Sequence, residues 1–280
     1  MEASNWLSKA VDFGAGREGL GCFNDRDGTY VAVWFCIGLL FYRGQDDVEQ
    51  NYVEAAKWFS KLAEGSYEKW HEDSDYNSQR RQINDCVQSA SYFLGFMYWY
   101  GQGVGQDYAK AVKWLSKAAE PVYSWECSTG CKEAQYLLGK AYYTGHGVAQ
   151  DYSEAVKWYK AAAEDEYSGG GPFSLTPREL KQKGVAEAKN ALGDAYRDGH
   201  GVEQSYQEAM NWYRAAADQG DADAMNSMAD MYAKGEGVGQ DLGEAMKWCI
   251  KAAQKGNTDA KAKLAKLMGN IPTGDNLLQP

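Results

Sequence analysis

The chain has 280 residues, with 29 basic and 39 acidic side chains and a net charge of −10. That balance argues against general binding to nucleic acid or to anionic membranes, and 44% hydrophobic with 24% charged residues excludes intrinsic disorder. Ten Trp and twenty Tyr against five Pro form an unusual composition that a fold must explain.

Residues 1–12 (MEASNWLSKAVD) carry no basic and apolar leader, which points to a cytoplasmic chain, or a periplasmic one if a signal peptide was removed. Gly14-Ala15-Gly16-Arg17-Glu18-Gly19 matches G-x-G-x-x-G but lacks the strand that a dinucleotide site needs before it. The longest apolar run, Tyr30 to Tyr42, is thirteen residues, too short to span a membrane. From there one pattern recurs. Repeats are predicted over about 31–65, 88–120, 132–164, 185–220 and 221–256. A half unit stands at 1–12, a capping half unit at 257–270 and a polar tail at 271–280, all within a single domain.

Each unit reads as helix, turn, helix. Ala188, Leu192, Ala195 and Tyr196 show the helical spacing of the first helix. A small residue sits near its middle (Gly38, Gly95, Gly139, Gly193, Ala229), where it allows a paired helix to come close. Glycines such as Gly199 and Gly201 end that helix. The second helix opens on a capping residue (Asn51, Asp107, Asp151, Ser205, Asp241), followed three positions later by Glu in all but the second unit. It then carries Trp58, Trp114, Trp158, Trp212 or Trp248. With Trp6, these tryptophans are spaced by 52, 56, 44, 54 and 36 residues. The last step is the bare period, so the others hold insertions, and these include Trp70, Tyr76 and Trp125.

The pattern A-x-x-x-L-G-x-x-Y-x-x-G-x-G-V-x-x-D-x-x-x-A-x-x-W-x-x-x-A-A resembles the Sel-one-like repeat, a relative of the tetratricopeptide repeat. The resemblance implies an all-α fold, a right-handed α/α superhelical solenoid of about five repeats with flanking half repeats. It also implies a concave groove, lined by the first helices, for binding protein.

At positions −3, +1 and +4 from the mid-helix small residue, the first three units place Phe35, Leu39, Tyr42; Tyr92, Phe96, Trp99; and Tyr136, Lys140, Tyr143. The last two place Asn190, Asp194, Arg197 and Asn226, Asp230, Ala233. The face turns from aromatic to polar along the chain, and aromatic clusters mark interaction sites. The expected partner-binding set is therefore the nine residues of the first three units, with Trp34 on a first helix and Trp70, Tyr76 and Trp125 on the insertion edge. Burial of the same stripe as core is the competing expectation.

No catalytic residue, metal or cofactor is expected. Asp73-Ser74-Asp75 starts like a calcium loop but has Ser78 where the Gly belongs. His146 and His200 occupy a turn slot. Cys22 and His71 have no supporting pattern, and Ser8, Ser60 and Ser116 are each followed directly by Lys instead of forming S-x-x-K. The expected function is a non-catalytic module for a dedicated protein partner with a basic surface. Among proteins with this resemblance, one such role is an immunity protein that blocks a toxic effector, such as a type VI secretion phospholipase. A signalling or envelope-assembly adaptor is the alternative, and an enzyme or small-ligand receptor ranks behind both.

Overall fold

A computed structural model describes residues 29–44, 48–65, 77–120, 131–163 and 178–269. Those residues form eleven α-helices and no strand. Contacts divide them into two compact units. The first holds α1 (Thr29–Arg43), α2 (Tyr52–Ala63), α3 (Asn77–Tyr100), α4 (Tyr108–Ala119) and α5 (Lys132–Thr144). The second holds α6 (Tyr152–Ala163), α7 (Arg178–Asp198), α8 (Tyr206–Asp218), α9 (Ala222–Lys234), α10 (Leu242–Gln254) and α11 (Thr258–Gly269). Within each unit a helix packs on its neighbours in sequence, as repeat stacking requires. The half unit at 1–12, the tail at 271–280 and the insertion residues Trp70, Tyr76 and Trp125 lie outside the described residues, as do Cys22 and His71.

Local chemistry sets the helix ends. The side chains of Asn51, Asp107, Asp151, Ser205 and Asp241 each accept the backbone N–H three residues on. The backbone N–H groups of Asn51, Ser205 and Asp241 donate to the carbonyls of Phe41, Tyr196 and Tyr232 in the preceding helix. Glu54, Glu154 and Glu244 instead accept from Lys57, Lys157 and Lys247 at 2.6, 2.7 and 2.5 Å. Asp221 and Asn257 cap α9 and α11 in the same way, at the start of first helices.

The two glycine classes do different jobs. A Cβ at mid-helix Gly38, Gly95 or Gly193 would stand 2.6, 2.8 or 2.4 Å from Phe59, Leu115 or Tyr213 of the paired helix. The second turn glycine joins successive repeats. At Gly147 (φ +79°) a Cβ would be 2.4 Å from the Tyr108 carbonyl oxygen, and at Gly237 (φ +69°) 2.5 Å from that of Tyr206.

Part of the inserted sequence lengthens first helices. α3 begins at Asn77 and α7 at Arg178, well before the predicted repeat starts at 88 and 185. NSQRRQINDCVQ and RELKQKG offer mostly good helix formers and no proline, so the helix extends backwards from the repeat.

Candidate functional site

In the first unit, α1, α3 and α5 carry the predicted face. Its innermost members are core. Phe35 is 0% exposed, and Tyr92 and Trp99 are 4% exposed, so the expectation that these three meet a partner is corrected to packing. Ring contacts within and between repeats surround them. Phe35 lies 5.9 Å from Phe59 and 6.1 Å from Phe93, and those two rings stack at 5.1 Å. Trp99 meets Tyr108 edge-on at 5.0 Å, and Tyr108 in turn stacks flat on the turn residue His146 at 4.6 Å. Tyr92 packs against Phe93 at 5.3 Å.

Around that core lies a half-buried rim. Leu39, Tyr42, Phe96, Tyr136, Lys140 and Tyr143 are all partly accessible. The Tyr42 hydroxyl donates to Gln102 Oε1 at 3.2 Å, and burial pushes its phenol up to about 12. Trp34 is also half-buried, with the Lys61 ammonium 4.2 Å from its ring centre. Tyr100, which the −3, +1, +4 count passes over, is 48% exposed and lies 4.5 Å from Phe96. Its signal is in the sequence, four residues after Phe96 on the same helix.

The second unit presents a different inner surface. The Tyr213 hydroxyl donates to Asp194 at 2.7 Å, and Arg197 pairs with Asp194 at 3.1 Å and with Asp198 through two bonds of 2.8 Å. Burial raises the Asp194 carboxyl above its ordinary value, while the Arg197 guanidinium holds Asp198 below it. Lys263 of α11 donates to Asn226 at 2.9 Å and to both oxygens of Asp230 at 2.6 and 2.8 Å. Here the charges are matched among themselves. In the first unit the accessible face is aromatic.

Nothing in these groups is arranged for nucleophilic chemistry. Burial raises the thiol pKa of Cys36, Cys86, Cys131 and Cys249, with Cys86 pushed up to about 12. Among the described residues no three or more His, Cys, Asp or Glu gather to hold a metal ion, and no helix is long and apolar enough to cross a membrane.

Comparison with known proteins gives a consistent result. The family model described as Sel1 repeat matches five times, over residues 37–67, 88–120, 132–167, 186–221 and 222–257. Among solved structures, c5321 is a protective antigen present in uropathogenic Escherichia coli strains and displays an SLR fold. It is 27% identical with a TM-score of 0.61 over 93% of this chain. A Sel1 repeat protein from Oxalobacter formigenes is 25% identical with a TM-score of 0.64, covering 91% of this chain and 83% of its own. The chain spans 43% of the length of c5321. No curated protein matches the sequence.

Proposed function

The chain belongs to the Sel1 repeat family, whose members are in general protein-interaction modules, and from that membership we propose that the inner face of its first unit is where a protein partner docks. The observation that carries this reading is the accessible aromatic rim of Leu39, Tyr42, Phe96, Tyr100, Tyr136 and Tyr143. It sits on a rigid ring core and is flanked by Lys140. Half-buried aromatics on preformed helices lose little entropy on binding and give large contact areas, which is the composition of interface hot spots.

A dedicated partner, such as a toxic effector held inactive, is the sharper form of the proposal. Its support is the uneven repeat spacing, which a generic scaffold has no need of. The net charge of −10 favours a basic partner surface. The test is capture of partners from the native host by wild-type chain, by Phe96→Ser with Tyr136→Ser, and by a Leu242→Ser control. A protein held by wild type and control, and weakened by about 30-fold or more in the double variant, supports the rim as a hot spot. A folded double variant that keeps every partner sinks the proposal.

A further inference from the structure

The second helix of every repeat has three recurring slots: the third residue after the cap, the residue before the tryptophan and the third residue after it. α2 and α10 fill them with Glu54, Lys57, Lys61 and with Glu244, Lys247, Lys251. In α6 and α8 they hold Glu154, Lys157, Ala161 and Glu208, Asn211, Ala215. α4 alone has lysine at all three, Lys110, Lys113 and Lys117, and it contains no acidic residue. In α2, α6 and α10 the Glu pairs with the lysine three residues on. In α4 two ammonium groups share that spacing, which costs helix stability where the other repeats gain it.

The three lysines fall within about 60° of one another around the helix, and all are exposed. Rings hold their ammonium groups in place. Lys110 lies 5.4 Å from the Tyr98 ring centre, and Lys113 and Lys117 lie 5.3 and 5.8 Å from that of Trp114. Lys117 also donates to the Ala63 carbonyl of α2. Asp107 is 3.4 Å from Lys110, and the charge of Glu64 bears on Lys117. Lys113 and Lys117 have no carboxylate at ion-pair distance among the described residues. Burial, with repulsion from Lys113, lowers the Lys117 pKa, and a bound anion would relieve that repulsion.

We propose that this face of α4 docks an acidic segment of a protein partner, with carboxylates set along the span of about 10 Å that the lysines cover. The net charge of −10 selects a short segment over a longer polyanion. A nucleic acid or an anionic bilayer would run beyond the patch onto a surface that repels it. A short segment stays within about 8 Å of the lysines, the distance over which their field acts at physiological salt. α4 is a second helix, whereas the aromatic rim lies on the first helices α1, α3 and α5, so the two sites are separate.

The probe is a fluorescein-labelled, alanine-based peptide with glutamates at three- and four-residue spacing, beside a twin with glutamine in their place. Fluorescence anisotropy with the full chain in about 20 mM salt is expected to give a dissociation constant of about 0.1–1 mM for the glutamate peptide. The glutamine twin should not bind, and about 0.5 M salt should abolish binding. Lys110→Glu installs the residue the other repeats hold, so its thermal midpoint should hold or rise while peptide binding falls about fivefold or more. Lys247→Glu changes the net charge equally on α10 and should leave binding within about twofold. Phe96→Ser with Tyr136→Ser should bind the peptide as wild type does, which separates this site from the rim. A wild type that binds neither peptide, or both equally, overturns the proposal. So does equal loss in the two charge variants, or a single-stranded oligonucleotide or phosphatidylserine vesicle held more tightly through Lys110 than the peptide is.

Discussion

At Gly193 a methyl group would stand 2.4 Å from the ring of Tyr213, which is fully buried and tied to Asp194 by a 2.7 Å hydrogen bond. The ring has nowhere to retreat, so Gly193→Ala is expected to cost about 1–3 kcal/mol by overpacking. Gly239 of the same unit has nothing within 4 Å of its would-be Cβ and an ordinary φ, so Gly239→Ala is expected to stabilise by about 0.4–1 kcal/mol. Urea denaturation of the two variants reads both signs in one experiment. Tyr42 makes a second residue-scale prediction. Its folded-state phenol is raised from 10 to about 12, so the stability it contributes is complete below pH 10 and is lost as pH climbs towards 12. Tyr213 is raised in the same sense and shares the decline. Tyr42→Phe is therefore expected to make the fall between pH 10 and 12 shallower, not to abolish it. The ceiling is about 1.4 kcal/mol per pH unit, reduced by solvent screening at this half-buried site. An unchanged slope in the variant would refute the assignment.

A helix pair is held together by more than its caps. In all five units a glutamine stands immediately before the capping residue: Gln50, Gln106, Gln150, Gln204 and Gln240. Each carboxamide donates to a backbone carbonyl near the end of the preceding helix, those of Tyr42, Trp99, Tyr143, Arg197 and Ala233, at 2.7–3.0 Å. Gln106 also reaches the Tyr108 hydroxyl at 2.9 Å. These carbonyls are among those a helix end leaves without an intrahelical partner, so the glutamine closes the turn. Gln106→Ala is expected to cost about 1–3 kcal/mol for two bonds of ordinary net worth, whereas Gln106→Glu keeps the length but lacks the N–H donors and should cost at least as much. Thermal unfolding of the pair checks this. The elements themselves were legible in the sequence because caps, mid-helix glycines and turn glycines recur at fixed offsets. The glutamine recurs just as strictly, but a polar residue in a turn looks like solvent-facing filler until its carbonyl partner is seen. The backward extensions of α3 and α7 follow no repeat offset and are set only by the absence of a breaker.

At the scale of the whole molecule, the candidate site was legible as a helix face but not as a surface. The offsets −3, +1 and +4 are shared by Phe35, which is fully buried against Phe59 and Phe93, and by Leu39 and Tyr42, which stay half-buried although Tyr42 meets the same two rings at 6.5 and 5.1 Å, so an offset along the helix does not fix depth. Stacking of repeats also shapes stability. In the second unit α8 packs chiefly on α7 and α9, and α10 on α9 and α11, so each helix draws its support from adjacent repeats. α11 is the last of the described helices; it packs on α10 and is tied to α9 through Lys263 and Asn257. Its amides should open by local fraying at a lower free energy than those of α8 and α9, which surround the fully buried Tyr213 and Met228. Native-state hydrogen exchange is expected to show protection rising from α11 through α10 to α9. Met228→Ala empties a site at the centre of that cluster and should cost about 2–5 kcal/mol. Because Met228 packs with residues of α8 and α10, the faster exchange it causes should appear across α8, α9 and α10 together, while α11 changes least since it already opens readily. Uniform protection over all four helices in the wild type would mean that the unit opens as one block and that nearest-neighbour stacking does not govern it.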